Sequence, residues 1–102
     1  MIYHITTQVE IDNAALTGSF SAPSLEKEGF MHTCEKQQIQ GVRERYYSDV
    51  KGLFILHIDE TKLTAPLKYE LAPSINEMFP HIFGKINKEA VVEVEKFQKT
   101  DL

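Results

Sequence analysis

The run Gly52-Leu53-Phe54-Ile55-Leu56-His57-Ile58-Asp59 is apolar on both of its alternating faces as far as His57. A strand with one wet face alternates apolar and polar residues, so a run like this one must be covered above and below. The sequence therefore places it at the centre of a sheet, and the rest of the chain has to supply the covers. Two stretches are written as helices. Thr7 stands three residues before Glu10, the spacing of a capping box, and predicts a helix running to about Leu16 and ended by Gly18 in a left-handed turn. Thr33 reads as the N-cap of a second helix with Glu35 in its first turn, in which Ile39, Val42, Tyr46 and Val50 recur at steps of three and four. Gly41 inside that helix costs about 1 kcal/mol relative to Ala, which predicts a close packing contact there.

The remaining segments read as strands and turns. Ile2 to Thr6 is β-rich, with Ile2, His4 and Thr6 on one face and Tyr3 and Ile5 on the other. Ser19 to Leu25 reads as a loop pinned by Phe20 and Leu25, and Gly29 to His32 returns in extended form. Leu67, Tyr69 and Leu71 alternate with Lys68 and Glu70, a half-exposed strand ended by Pro73. Pro80 to Gly84 reads as a turn, Ala90 to Phe97 as an antiparallel strand near an edge, and Lys99 to Leu102 as a fraying end. Two strand-helix units followed by strands without helices between them predict an α+β domain with a mainly antiparallel sheet and two principal helices, spanning 1–102 as a single domain.

Composition narrows the function. A chain of 102 residues buries roughly two-thirds of its unfolded surface and needs no staple, in keeping with the lone Cys34. A hydrophobic share of 42% with no long apolar run predicts neither disorder nor a membrane span, and the start lacks a signal-peptide pattern, so a cytosolic location is expected. The formal charge of −4 argues against a phosphate-backbone binder, because Arg43, Arg45 and Lys51 are interleaved with Glu44 and Asp49; no nucleic-acid partner is expected. A small ligand, anionic or neutral, stays compatible.

The stretch Glu28-Gly29-Phe30-Met31-His32-Thr33-Cys34 is the strongest candidate for a ligand-facing turn. His4, His32 and His81 each follow aromatic or apolar residues and precede a small or β-branched one, and their three segments form one pocket if they meet. Thr6, Thr33 and Tyr47 can join them, and Glu28 adjoins the Gly29 turn within reach of His32. The alternative for each imidazole is a half-buried residue bonded to a backbone carbonyl; His57, on the apolar strand, reads as structural. No metal site is expected, since no histidine pair stands at i, i+4 and no Cys-x-x-Cys occurs. Cys34 is either a nucleophile activated by His32 or a small residue buried under the helix.

Four ordered motifs, Ile2-Tyr3-His4-Ile5-Thr6, Glu28-Gly29-Phe30-Met31-His32, Leu56-His57-Ile58-Asp59 and Phe79-Pro80-His81-Ile82-Phe83-Gly84, resemble the small bacterial family known as domain of unknown function 952. The resemblance implies an ADP-ribosylation-like fold, with a split antiparallel sheet around a cleft. It also likens Tyr3, His4 and Thr6 to the strand with which one class of ADP-ribosyl transferases holds the ribose of NAD, although Ile5 stands where those enzymes have a small residue. Glu93 and Glu95 are candidates, by chain order, for the late Glu of such enzymes. The chain departs from the family pattern in lacking an early Trp and in carrying Phe20 and Phe83 where Tyr is common.

The site expected from these residues is a cleft for a nucleotide-like, ADP-ribose-like or NAD-like ligand. In it Gly29 and Gly84 let the backbone approach the ligand, Phe30 and Phe83 stack on a flat ring, and Tyr3, Thr6, Glu28 and Thr33 complete the walls. NAD is the one cofactor implied. Two alternatives stand beside it: ADP-ribosyl transfer or NAD hydrolysis with His4, His32 and His81 as catalytic groups, and a non-enzymatic interaction module pairing through the strand from Leu67 to Leu71. The oligomeric state is left open.

Overall fold

The computed structural model describes residues 1–97, so the expected fraying end at Lys99 to Leu102 lies outside the described residues. The apolar run forms β4 (Leu53–Ile58), flanked on both sides by antiparallel neighbours: β1 (Ile2–Thr7) on one edge and β8 (Val91–Lys96) on the other. Register pairs Tyr3 with His57 and Ile5 with Ile55, so alternation assigns these four side chains to one face and Ile2, His4, Leu56 and Ile58 to the other. Both faces are covered, as the two-sided apolar pattern requires.

On the Leu56 face, Ile2, Leu56 and Ile58 pack with Ala14 of α1 (Gln8–Thr17) and with Met31, Ile82 and Ile86 into the main core. Thr7 caps α1, accepting from the Glu10 N–H, and Gly18 ends it at φ +86°, a left-handed conformation that a side chain resists. On the opposite face, Tyr3, Ile55, Cys34 and Phe79 form a second cluster, against which Ile39 and Val42 of α3 (Ile39–Tyr46) pack.

A second three-stranded antiparallel sheet has the order β3 (Met31–His32), β6 (Glu77–Ile82), β5 (Leu67–Ala72). A ribbon of β2 (Ser19–Phe20) with β7 (Ile86–Asn87) completes an α+β architecture of antiparallel sheets and few helices. The two larger sheets are joined at Cys34, which exchanges both backbone hydrogen bonds with Tyr3 at 2.8 Å.

Five local expectations are corrected. The Ser19 to Leu25 stretch is not all loop: it holds β2 and the start of α2 (Pro23–Glu28), with Pro at the helix start where its missing N–H is harmless. Thr33 does not cap the second helix. Its hydroxyl donates to the Pro80 carbonyl at 2.6 Å, and the cap is Glu35, in a reciprocal box with Gln38, opening a single 3₁₀ turn before α3. That helix stops at Tyr46 rather than Val50, and a Cβ on Gly41 would meet only the flexible Arg45 side chain, so no tight packing explains the glycine. Pro80 to Ile82 is strand, not turn: β6 continues to Ile82, and Pro80 is fully buried in it. β8 lies at a sheet edge as expected.

Leu56 is fully buried between the helix and the second sheet, so Leu56→Ala is expected to cost about 2–5 kcal/mol in urea unfolding, whereas Leu71→Ala on the exposed edge strand β5 should stay within about 0.5 kcal/mol. Equal losses at the two positions would contradict this placement of the core.

Candidate ligand cleft

The second sheet contributes its imidazoles through alternation. In the two-residue pairing of β3 with β6, Met31 lies opposite Ile82 and His32 opposite His81. Met31 and Ile82 are fully buried in the main core, so His32 and His81 share the other face. Their ring centroids are 5.5 Å apart, nearly perpendicular. Phe30 stacks on His81 at 3.9 Å and meets His32 edge-on at 4.9 Å, fixing both rings from one side.

Each imidazole is oriented by a carboxylate. Nε2–H of His32 donates to Glu28 Oε2 at 2.6 Å, the two residues being four apart across the end of α2. Nδ1–H of His81 donates to Glu70 Oε1 at 2.7 Å from the neighbouring β5. A carboxylate accepts only, so these bonds set which nitrogen carries hydrogen and leave Nδ1 of His32 and Nε2 of His81 for another partner. An imidazole held in this way can donate or accept, according to its protonation state.

Both rings line a cavity of about 440 Å³, within the usual range of small-molecule sites. The first sheet supplies Tyr3 and Ile5, the second Phe79 and Ala72, the junction Thr33 and Cys34, and α3 with its following residue closes the cavity with Val42, Tyr46 and Tyr47. No Lys or Arg stands among these lining residues. Burial, together with the nearby Glu10 and Cys34, pushes the Tyr47 phenol up, so it is a neutral hydroxyl at ordinary pH.

His4 is placed differently. It is 4% exposed, its Nδ1–H donates to the His32 carbonyl at 2.7 Å, and it does not line the large cavity. It lines a smaller hollow of about 130 Å³ shared with Glu10, Ser24, His32 and Tyr47. There Nε2 has no hydrogen-bond partner, and Glu10 Oε1 stands 3.6 Å away. Burial alone would raise the Glu10 carboxyl, yet it is held below its ordinary value by His4 and by Thr6, whose hydroxyl donates to Oε1 at 2.6 Å. At 3.6 Å the His4 contribution is the field of the ring rather than a formed hydrogen bond.

The three imidazoles thus meet in part: His32 and His81 share the cleft, and His4 braces it from behind through the His32 backbone. Glu28, Thr33 and Tyr3 line the cleft, and Thr6 stands with Glu10 beside the smaller hollow. Phe30 and Phe83 are not among the lining residues: Phe30 backs both imidazoles, and Phe83 packs on Phe30 at 5.5 Å. Gly29 ends α2 at φ +87°, and a Cβ at Gly84 would fall 2.8 Å from that of Ala65, so both glycines have reasons in the fold itself. Glu93 and Glu95 flank His57 away from the cleft walls. Phe79 and Tyr46 are lining residues that sequence reasoning missed. The spacing of Phe79 from His81, two apart on a strand, was the available signal.

Cys34 is 2% exposed, and burial, with the neighbouring Glu35 charge, pushes its thiol up from 9.0 to about 12. It is the buried small residue rather than an activated nucleophile.

These features define a class: a small α+β domain with two antiparallel sheets hinged at one backbone bridge and an aromatic, histidine-walled cleft on the face opposite the main core. Within that class the chain belongs to the family described as protein of unknown function (DUF952), whose model matches residues 5–94. Its fold is similar to the crystal structure of protein CC0527 from Caulobacter crescentus, with a TM-score of 0.85 at 23% identity over 95% of this chain and 85% of that one. A double mutant of the same protein superimposes with the same TM-score at 22% identity, again over 95% and 85% of the two chains. No curated protein matches the chain. Among the described residues, no helix is long and apolar enough to cross a membrane.

The raised thiol sets two expectations. At pH 8 iodoacetamide should modify native Cys34 slower than the urea-unfolded chain by about two to three orders of magnitude. Between about pH 9 and pH 12 the unfolded thiol loses its proton while the folded one keeps it, so the unfolded state binds fewer protons and stability falls as pH rises. Cys34→Ala should lack that component of the decline; equal alkylation rates in folded and unfolded protein would contradict the burial.

Proposed function

We propose that this protein binds a nucleotide-like small molecule, of the ADP-ribose or NAD kind, in the cleft between its two sheets. The observation that carries this reading is the convergence of His32 and His81 on a cavity of about 440 Å³ whose other walls include the rings of Tyr3, Tyr46, Tyr47 and Phe79. A flat heterocycle suits such walls, and the unengaged His32 Nδ1 and His81 Nε2, with the Tyr47 hydroxyl, can read its polar edge.

The absence of Lys and Arg from the lining favours the base end of the ligand inside, with any phosphates directed outward to water. An ADP-ribosylation-like arrangement of the sheets and a cytosolic setting belong to the same reading. Binding is preferred here to glycosyl transfer because Glu93 and Glu95, the late carboxylates by chain order, flank His57 rather than the cleft.

Titration with NAD and with ADP-ribose, followed by NMR of the histidine side chains, is the test. Saturable shifts of His32 and His81 are expected, and His81→Ala should weaken binding about tenfold, the equivalent of one hydrogen bond of about 1.4 kcal/mol. Unmoved resonances at millimolar ligand would remove the proposed guest, and release of nicotinamide by the wild type would replace binding with catalysis.

A further inference from the structure

The face of the first sheet that carries Tyr3 also carries a cluster the cleft does not use. His57 lies on β4, the central strand, opposite Glu93 of β8, and Glu95 lies two pairs further along, opposite Ile55. The imidazole therefore has one carboxylate across from it and one on the diagonal, both on its own face. Nε2–H donates to Glu95 Oε1 at 2.7 Å, and Nδ1 is 4.0 Å from Glu93 Oε1. One ligand atom from each of the three residues can be chosen so that all lie within 4.8 Å of one another.

We propose that His57, Glu93 and Glu95 form a binding site for a divalent transition-metal ion of the Zn²⁺ type. The donor set is one imidazole nitrogen and two carboxylate oxygens. With the imidazole neutral it carries two negative charges, which a dication balances. A nitrogen ligand selects against Ca²⁺ and Mg²⁺, which take oxygen cages, and suits zinc, nickel and copper.

A tetrahedral zinc with bonds of about 2.0–2.3 Å holds its ligands roughly 3.3–3.7 Å apart, so the present spacing closes by side-chain rotation alone. Three features prepare the site. The Tyr3 ring meets the imidazole edge-on at 5.0 Å and restricts its rotation. The three ligands stand on two paired strands, a firmer support than a loop. Among the described residues, no Lys or Arg forms an ion pair with Glu93 or Glu95, and both carboxylates are more than half exposed, so an ion can enter and keep water in its fourth position. The ion takes the Nε2 lone pair in the tautomer whose hydrogen has moved to Nδ1, and protons compete with it for the imidazole and for both carboxylates, so its affinity falls as pH is lowered. Tyr3 separates this site from the cleft: it lines the one and packs on the imidazole of the other.

The test is titration of chelator-treated full-length protein with ZnCl₂ by calorimetry, repeated with CoCl₂ for its visible absorption. One ion per chain is expected, weakened at least about tenfold in His57→Gln and in the double variant Glu93→Gln/Glu95→Gln. The double variant keeps the ring that packs on Tyr3, so its loss of binding cannot be assigned to misfolding around that contact, and circular dichroism confirms the fold of each. His32→Gln and His81→Gln, which alter the other histidine-carboxylate pairs, should leave the affinity unchanged. Absence of saturable zinc binding overturns the proposal, as does binding that survives both sets of changes at His57, Glu93 and Glu95 or that disappears in His32→Gln or His81→Gln.

Discussion

A segment of four residues, 31–34, holds the two sheets in register with one another. At its start Met31 and His32 pair with Ile82 and His81; at its end Cys34 exchanges two backbone hydrogen bonds with Tyr3. Between them the Thr33 hydroxyl closes on the Pro80 carbonyl, and the His32 carbonyl accepts from His4. Every polar group named here finds its partner in a different part of the chain, which is what makes the junction specific, since leaving any of them buried and unpaired costs about 1–3 kcal/mol.

The cleft is a consequence of that junction through the pleat of a strand. With Met31 and Ile82 committed to the core, the next residue of β3 and the preceding residue of β6 have no choice of face, and both are histidines. Their carboxylate partners come from the end of α2 and from β5, elements that the same junction brings alongside. The chemistry of the cleft is thus set by neutral aromatic rings and by imidazoles that each have one nitrogen engaged by a carboxylate and the other unengaged. Glu28 is the one carboxylate among its lining residues, with no Lys or Arg beside it, in line with a chain whose formal charge is −4.

Much of the fold was legible from the chain because the deciding forces are local. Thr7 with Glu10, Gly18 at a left-handed turn and the two-sided apolar run of β4 each carry their reason within a few residues. The junction was not legible for the opposite reason. Thr33 has the chemistry of a helix cap, but a buried carbonyl 47 residues away claims its hydroxyl, and the cap passes to Glu35. Pro80 argues for a turn, yet β3 reaches only as far as His32 along β6. The Pro80 carbonyl, and with it the direction its missing N–H would take, faces the Thr33 hydroxyl rather than a ladder partner. Likewise His4, His32 and His81 look alike in sequence, and only the register of β1 on β4 turns His4 inward, behind the cleft, while the other two face it. His57 with Glu93 and Glu95 is a cross-strand relation of the same kind, invisible until β8 is placed beside β4.

The dependence of the cleft on the junction can be read from a nuclear Overhauser spectrum of the folded protein in solution, with the histidine and phenylalanine rings assigned. Cross-peaks are expected between the ring protons of His32 and His81, and from both rings to Phe30, together with contacts between the side chains of Met31 and Ile82. If Met31 and Ile82 are in contact while the two imidazoles show no cross-peak to each other or to Phe30, the strand pairing exists but does not build the cleft, and the origin assigned to it here is wrong.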